Sequence, residues 1–208
     1  LDAPAEINAA NYPNIRFFTV QPSNTAAPIF DWREEMPAPY GRWYSTSPAT
    51  AGSQSAVGYY FGRMLHKELG VPVGLVNTSY GGATAQAYTP IEALEGDSRL
   101  KANFVDPYKA NPDMNVLVRP AELYNSMVHP LLPLSARGVV WYQGEGNWGD
   151  YPIYPLLMNT LINGWRRNFA HSEMPFYYVQ IAPWGFGQDT SSKEWFYTQG
   201  EAIGYAYM

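Results

Sequence analysis

The feature that most constrains the fold of this chain is its alternation of short apolar runs with segments of helical period. The apolar runs extend from Ile15 to Val20, from Val73 to Asn77, from Gly138 to Trp141 and from Phe176 to Ile181. Apolar side chains recur at helical spacing between them, from Ser55 to Leu69 and from Leu156 to Phe169. Strands joined by helical crossovers pair in parallel through right-handed connections. The pattern therefore predicts an α/β fold with a parallel sheet.

The composition is that of one globular domain. Of the 208 residues, 46% are hydrophobic and 15% are charged, which is enough apolar material for a sizeable core. No repeat or low-complexity tract divides the chain, so residues 1–208 are predicted to form a single domain. The segments from Pro22 to Pro48 and from Asp97 to Arg119 read as long loops. A capping box at Thr89 predicts a short helix through Leu94.

Charge and residue types exclude several classes of function. The net charge is −5 and no cluster of Lys or Arg occurs, which argues against a nucleic acid or an anionic membrane as partner. The absence of Cys excludes disulfides, metal thiolates and thiol nucleophiles. The three histidines, His66, His129 and His171, show no spacing typical of metal ligands. We therefore expect neither a metal nor another cofactor.

Polar residues and glycines follow two of the predicted strands. Gln143 and Glu145 come just after one apolar run, and Gly81 and Gly82 follow the run that ends at Asn77. In an open α/β sheet, ligands bind outside the carboxyl ends of the strands. Paired glycines let backbone N–H groups approach a ligand closely. The sequence therefore predicts one site to which the Gln143 side chain and the glycine turn both contribute.

These two segments carry a family resemblance. Residues 77–82 (Asn-Thr-Ser-Tyr-Gly-Gly) and 138–145 (ending in Gln-Gly-Glu) resemble segments of the sialate O-acetylesterase-like carbohydrate esterases, a branch of the SGNH (GDSL-like) hydrolases. Residues 12–20, 55–63, 123–131 and 176–183 resemble further segments of that family, in the family's order. The resemblance covers nearly the whole chain. It implies a three-layer, flavodoxin-like SGNH hydrolase fold around a parallel sheet.

The resemblance also implies a reaction and a set of site residues. The reaction is acyl transfer, in which a serine attacks an acetyl ester and an oxyanion hole stabilises the tetrahedral intermediate. The backbone of Gly81 and Gly82 and the side chain of Gln143 would form that oxyanion hole, and Glu145 would orient the turn. The residues expected to bind substrate are Tyr80, Asn125, His129, Asn147 and Trp148.

Two segments typical of the family are absent from these 208 residues. Members carry a G-Q-S-N turn that holds the nucleophilic serine and a D-x-x-H segment that holds the acid and the base, and neither motif occurs here. We therefore expect a partial domain that lacks the first and last family segments. The missing first strand would lie between the strands at Ile15 to Val20 and at Val73 to Asn77, leaving their edges unpaired. Gly146 also departs from the Ser or Ala usual in relatives.

The leading hypothesis is a carbohydrate esterase that hydrolyses O-acetyl esters on sialic acid or on a polysaccharide such as xylan. The expected partner is an acetylated sugar or glycan, and such substrates suggest a periplasmic or secreted protein. One alternative is a non-catalytic carbohydrate-binding module that uses exposed aromatic rings. Another is an α/β-hydrolase-type esterase in which Ser79 is the nucleophile and His129 or His171 the base, because residues 77–81 resemble a nucleophile elbow.

Overall fold

The structure is a computed structural model that describes residues 2–32, 37, 39–132 and 134–182. The chain divides into two compact units, Leu1–Pro22 with Trp32–Ser79 and Ser23–Asp31 with Tyr80–Met208. Pro183, the last residue of the final family-like segment, lies outside the described residues. No helix in the described ranges is both long enough and apolar enough to cross a membrane.

The first unit is a three-stranded sheet with helices. Its elements are α1 (Ala3–Ala9), β1 (Tyr12–Thr19), β2 (Trp43–Thr46), a 3-10 turn (Ala51–Ser53), α2 (Ala56–Leu69) and β3 (Val73–Asn77). The strand order is β2-β1-β3, with β2 antiparallel and β3 parallel to β1. Ile15 and Phe17 of β1 pack with Tyr59 of α2 in the core of this unit. Strand β2 lies inside a segment that the sequence predicted to be a loop.

The helix predicted from apolar spacing is confirmed as α2, and a capping residue is found at each of its ends. The Ser55 side chain accepts a hydrogen bond of 3.3 Å from the Gly58 N–H, which caps the first turn. The helix ends at Gly70, whose φ of 67° is left-handed and suits glycine. Gly62 allows a close approach to β3, because a Cβ atom there would lie 2.5 Å from Leu75 Cδ1.

The expectation of a missing strand between β1 and β3 is wrong for this structure. The two strands pair directly, in register from Ile15 opposite Val73 to Thr19 opposite Asn77. The Val20 N–H continues the ladder with a hydrogen bond of 2.9 Å to the Asn77 carbonyl. Both strands run in the same direction because α2 crosses between them, and pairing satisfies backbone groups that would otherwise be unpaired.

The second unit contains more helices and a separate pair of parallel strands. Its α-helices, π-helical turns and strands are α3 (Ile91–Glu95), α4 (Ser98–Leu100), a π-helical turn (Lys101–Val105), α5 (Asp106–Ala110), a π-helical turn (Tyr124–Val128), β4 (Val139–Trp141), α6 (Tyr154–Asn168) and β5 (Phe176–Tyr178). The 3-10 turns are at Ala85–Tyr88, Val116–Val118, His129–Leu131 and Glu145–Asp150. Val139 to Trp141 pair in parallel with Phe176 to Tyr178. Leu157 and Leu161 of α6 are fully buried, and Trp165 meets the Trp141 ring edge-on at 6.2 Å.

The predicted α/β class is confirmed, since helices and parallel strand pairs occur in both units. The described strands form two sheets, however, and not the single sheet suggested by the sequence pattern. The segment after Asp97, predicted to be a loop, is largely helical to Ala110 and buries Leu100, Phe104 and Val105. Polar residues on the exposed face of this segment interrupt its apolar residues in the sequence, so no helix was predicted there.

The capping box predicted at Thr89 is also wrong. The Thr89 hydroxyl donates a hydrogen bond of 2.8 Å to the Ala85 carbonyl, at the start of the preceding 3-10 turn. Helix α3 begins at Ile91 with Pro90 at its cap position and no side-chain cap. This bond runs four residues back along the chain, so the hydroxyl is satisfied by the preceding turn and not by the first turn of α3.

Candidate functional site

Gln143 follows strand β4 and is held by hydrogen bonds at both ends of its side-chain amide. Nε2 donates to the Ala83 carbonyl at 3.1 Å and to Oδ1 of Asn147 at 2.7 Å. The Tyr154 hydroxyl, buried at the start of α6, donates to Oε1 at 3.1 Å. Three contacts from three segments therefore fix the position and the orientation of this amide.

Tyr80, Gly81 and Gly82 form a tight turn closed by a hydrogen bond of 3.2 Å from the Ala83 N–H to the Tyr80 carbonyl. Gly82 has a φ of 80°, in the left-handed region that side chains disfavour. Gly81 and Gly82 are exposed, and within the described ranges their N–H groups donate to no protein acceptor. The turn thus contains two backbone donors that no acceptor in the described part of the chain occupies.

The Gln143 segment and the glycine turn lie in direct contact. Besides the hydrogen bond from Gln143 to Ala83, Gly146 packs so closely that a Cβ atom on it would lie 3.1 Å from the carbonyl oxygens of both Gly82 and Ala83. The close approach accounts for glycine at position 146. The structure therefore brings together Gln143, Gly81 and Gly82, while their roles in catalysis stay predictions.

Asn147 is fully buried and forms the centre of a hydrogen-bond network. Its Oδ1 accepts from the Ala85 N–H at 2.8 Å and from Gln143 at 2.7 Å. Its Nδ2 donates to Oε1 of Gln86 and to Oδ2 of Asp150, both at 2.8 Å. Burial raises the pKa of the Asp150 carboxyl, and the hydrogen bond from Asn147 opposes that rise. No side-chain atom of Asn147 is left exposed for the predicted substrate contact.

Two other predicted substrate ligands, Asn125 and His129, hold the segment Ser23–Asp31, here called the strap. The buried Asn125 amide donates to the carbonyls of Thr25 and Ala26 at 3.2 and 3.0 Å. His129 Nδ1 lies 2.7 Å from the Ile29 carbonyl. These contacts give both residues a role in anchoring the strap, while their role in substrate binding stays a prediction.

Glu122 is a buried carboxylate that the sequence gave no reason to single out. It is 3% exposed and accepts hydrogen bonds from Asn24 at 2.7 Å and from the Tyr108 hydroxyl at 2.6 Å. Arg119 lies 3.6 Å from it. Burial, together with the hydrogen bond to Glu122, raises the pKa of the Tyr108 hydroxyl to about 12. The carboxylate ties the strap to α5, and its only sequence signal was a charge within an apolar stretch.

The remaining predicted site residues lie at or near the surface. Trp148 is 48% exposed and Tyr142, which precedes Gln143, is 54% exposed. Tyr80 is half-buried at the start of the glycine turn. Glu145 is exposed and forms no side-chain hydrogen bond within the described part of the chain, so no contact supports the orienting role expected of it.

Ser79 does not have the surroundings of an activated nucleophile. Its hydroxyl donates to the side-chain carbonyl of Asn77, and its N–H donates to the same oxygen at 3.2 Å. An amide oxygen cannot remove a proton as an imidazole does. Among the described residues, no group of three or more His, Asp or Glu side chains could hold a metal ion.

Known proteins of one family are similar to this chain in sequence. The family model for carbohydrate esterases, sialic acid-specific acetylesterase, matches residues 42–203. The sialate O-acetylesterase of Homo sapiens is 31% identical over 191 residues, covering 84% of this chain and 34% of that protein. That of Rattus norvegicus is 32% identical over 222 residues, covering 88% of this chain and 38% of its own length. The chain therefore spans about a third of the length of these relatives.

A solved structure is similar as well. A carbohydrate acetylesterase from Xanthomonas citri superposes with a TM-score of 0.82 at 30% sequence identity, over 98% of this chain and 43% of its own. Similarity in sequence and in fold thus identifies the same family as the resemblance of residues 77–82 and 138–145 did. This chain belongs to the family of carbohydrate esterases described as sialic acid-specific acetylesterases.

Proposed function

We propose that this chain supplies the oxyanion-stabilising part of an esterase site that hydrolyses O-acetyl esters on sugars. The observation that carries the proposal is the contact of the fixed Gln143 amide with a turn in which Gly81 and Gly82 are exposed and their N–H groups have no acceptor among the described residues. Backbone and amide N–H groups gathered at one point are the usual means of stabilising an oxyanion. Membership of the acetylesterase family supports the same reaction.

The proposed mechanism proceeds through a serine acyl-enzyme. The serine oxygen bonds to the acetyl carbonyl carbon, and a base takes its proton. The carbonyl oxygen becomes an oxyanion that the N–H donors stabilise, at about 2.7–3.1 Å. The sugar then leaves as an alcohol with the proton, and water hydrolyses the acetyl-enzyme to acetate. Gln143 exchanges the longer of the two hydrogen bonds that its Nε2 donates, that to Ala83, for one to the oxyanion.

We further propose that the serine and the acid–base pair come from segments beyond these 208 residues. Neither the G-Q-S-N turn nor the D-x-x-H segment occurs here, and Ser79 is bonded to an amide oxygen. The relatives are about three times as long as the region that matches this chain, which leaves room for both segments.

Acetylated sialic acid, or an acetylated polysaccharide such as xylan, is the proposed substrate class. The relatives are named for sialate O-acetyl groups in two cases and for a carbohydrate in the third. Trp148 and Tyr142, exposed on either side of Gln143 in sequence, offer flat apolar rings of the kind that pack on sugar faces. Glycans of this type lie outside the cytoplasm, so we propose a periplasmic or secreted site of action.

The test is acetate release by a longer protein that contains this chain together with the serine turn and the D-x-x-H segment. On O-acetylated sialic acid and on acetylated xylan, Gln143→Ala should lower kcat by about 10²–10³-fold, the usual loss for one oxyanion donor. Asn163→Ala is the matched control, since that amide on α6 bonds only to Asn159 among the described side chains. Equal kcat values for Gln143→Ala and the unmodified protein would contradict the proposal.

The Ser79 alternative has its own test with the 208-residue chain. Hydrolysis of p-nitrophenyl acetate by this chain should not exceed that of a boiled sample, because the nucleophile is absent. Ready turnover that is lost in Ser79→Ala would instead assign the nucleophile to Ser79.

A sugar-binding module without catalysis is the second candidate, and one observation favours it. The first unit has a cavity of about 210 Å³ lined by Phe17, Tyr44 and Gln54 among others, and the buried Nε2 of Gln54 has no hydrogen-bond partner there. A ring face beside an unpaired amide suits a sugar. Binding of acetylated sugars that Gln54→Leu abolishes, without acetate release by the longer protein, would favour this reading.

A further inference from the structure

We infer that Asn147 is a positioning residue, which sets the Gln143 side-chain amide so that its nitrogen faces the glycine turn. The inference rests on the proposed role of Gln143 as an oxyanion donor. It adds a second residue to that role and gives a physical reason for the buried network around it.

The orientation of the Gln143 amide decides whether it helps or hinders the proposed reaction. A carboxamide has a donor end and an acceptor end of nearly the same shape, and a rotation of 180° exchanges them. With Nε2 toward the glycine turn, the side chain adds an N–H to the two backbone donors. With Oε1 there, a lone pair would face the developing negative charge. The proposed reaction therefore requires contacts that fix the orientation of the Gln143 amide.

Asn147 is oriented by two groups whose hydrogen-bonding sense cannot change. The Ala85 N–H can only donate, and it lies 2.8 Å from Oδ1. Asp150 can only accept when its side chain is a carboxylate, and its Oδ2 lies 2.8 Å from Nδ2. The Gln86 Oε1 takes the other Nδ2 proton at 2.8 Å. Because Asn147 is fully buried, a reversed amide would leave these groups unsatisfied.

The fixed orientation of Asn147 is passed on to Gln143. Oδ1 of Asn147 lies 2.7 Å from Nε2 of Gln143, so a reversed Gln143 would set two oxygen acceptors against each other. The Tyr154 hydroxyl donates to the Oε1 end of the same amide at 3.1 Å. One Nε2 proton is thereby committed to Asn147. The other points to the Ala83 carbonyl, beside Gly82, where the oxyanion would form.

The test compares variants in the longer protein used for the acetate assay. Asn147→Ala removes the acceptor, and it should lower kcat by about 10–100-fold, the scale of loss when a catalytic group is misplaced by about 1 Å. KM should stay within a factor of two. The side-chain resonances of Gln143 are read separately by ¹H–¹⁵N NMR with ¹⁵N-glutamine labelling, assigned by their loss in Gln143→Ala. In Asn147→Ala they should shift, and their protons should exchange with water at least tenfold faster.

A charge-swap pair keeps the inference testable if Asn147→Ala folds poorly. Asn147→Asp alone keeps the acceptor but sets two carboxylates together, and it should lose kcat. The double variant Asn147→Asp with Asp150→Asn restores one donor and one acceptor between these positions, and it should recover kcat and the Gln143 resonances. Ser126→Ala is the control, since it removes a buried hydroxyl that bonds to the Ser23 and Glu122 carbonyls. It should change neither readout.

The outcomes separate this inference from the proposed function. If Gln143→Ala leaves kcat unchanged, the oxyanion assignment fails, whereas the resonances still report whether Asn147 holds the amide. If Gln143→Ala lowers kcat but Asn147→Ala leaves both kcat and the Gln143 resonances unchanged, the positioning role is overturned. A loss of kcat in Asn147→Ala with unchanged resonances, or an equal loss in Ser126→Ala, would also overturn it.

Discussion

The side-chain amide of Gln143 donates a hydrogen bond of 3.1 Å to the backbone carbonyl of Ala83, which lies 60 positions earlier in the chain. This bond joins the segment after β4 to the turn that contains the two exposed glycines. The geometry of the proposed oxyanion hole therefore depends on how closely these two segments approach, and that distance is set by contacts that can be changed one at a time.

Gly146→Ala should push the two segments apart. A Cβ atom at position 146 would lie 3.1 Å from the carbonyl oxygens of Gly82 and Ala83, so these neighbours must move. We expect the free energy of unfolding to fall by about 1–3 kcal/mol, as for other overpacked positions. Gly149→Ala is the control, since nothing lies within 4 Å of its Cβ position. Urea unfolding measures both, and equal losses at the two positions would contradict the close packing.

Gly82→Ala should cost more than Gly81→Ala, although the two glycines are adjacent. Gly82 has a φ of 80°, and an alanine in left-handed backbone costs about 1–2 kcal/mol. Gly81 does not have a positive φ, and its Cβ position meets nothing within 4 Å. Only Gly82→Ala should therefore lower the midpoint of urea unfolding clearly. Similar midpoints for the two variants would show that Gly82 is not held in this conformation.

Glu122→Ala should weaken the anchoring of the strap. The change leaves the Tyr108 hydroxyl and the Asn24 amide without their acceptor and leaves Arg119, which is one quarter exposed, without its counter-charge. We expect a loss of about 2–4 kcal/mol, somewhat below that for breaking a fully buried pair. Glu95→Ala breaks an exposed pair with Lys109 and should give no measurable change. Proteolysis within the strap should also quicken in Glu122→Ala alone.

The elements that the sequence predicted well are those with local causes. Helix α2 has its serine cap, its apolar spacing and its terminal glycine within 16 residues, and α6 shows the same apolar spacing. The pairing of β1 with β3 and the helical run after Asp97 could not be predicted in the same way. The first depends on which strand edges meet in space, and the second depends on which face of a mixed segment is buried.

The candidate site shows the same division. Gln143, Gly81 and Gly82 were identified from glycines and an amide placed after apolar runs, a local pattern. Asn147 and Asn125 were expected to bind substrate because of the family resemblance, and their hydrogen-bond partners played no part in that expectation. Their partners, Ala85 and Thr25, lie 62 and 100 positions away in the chain. Sequence spacing does not reveal these contacts, and burial converts both amides from surface groups into internal ones.

Asp150→Asn should change the pH dependence of stability in a defined direction. Burial raises the pKa of Asp150 above the ordinary value of 3.8, so the folded state binds this proton more tightly than the unfolded state. The contribution of Asp150 to the free energy of unfolding is therefore greatest below pH 3.8 and is lost as the pH rises through the raised pKa. Asparagine does not titrate and still accepts the hydrogen bond from Asn147. The stability advantage of Asp150→Asn should thus grow from pH 3.5 to 7 in urea unfolding.

Asp97→Asn provides a control of opposite sign. The hydrogen bond from the Arg99 side chain lowers the pKa of Asp97 to about 2, so its contribution is present above pH 3.8 and is lost as the pH falls toward 2. Asparagine keeps the oxygen that caps α4, so the charge is the main change. Relative to the unmodified chain, Asp97→Asn should be less stable at neutral pH and should converge with it in acid. A stability difference for Asp150→Asn that stays constant with pH, or that follows the course expected for Asp97→Asn, would refute the raised pKa of Asp150.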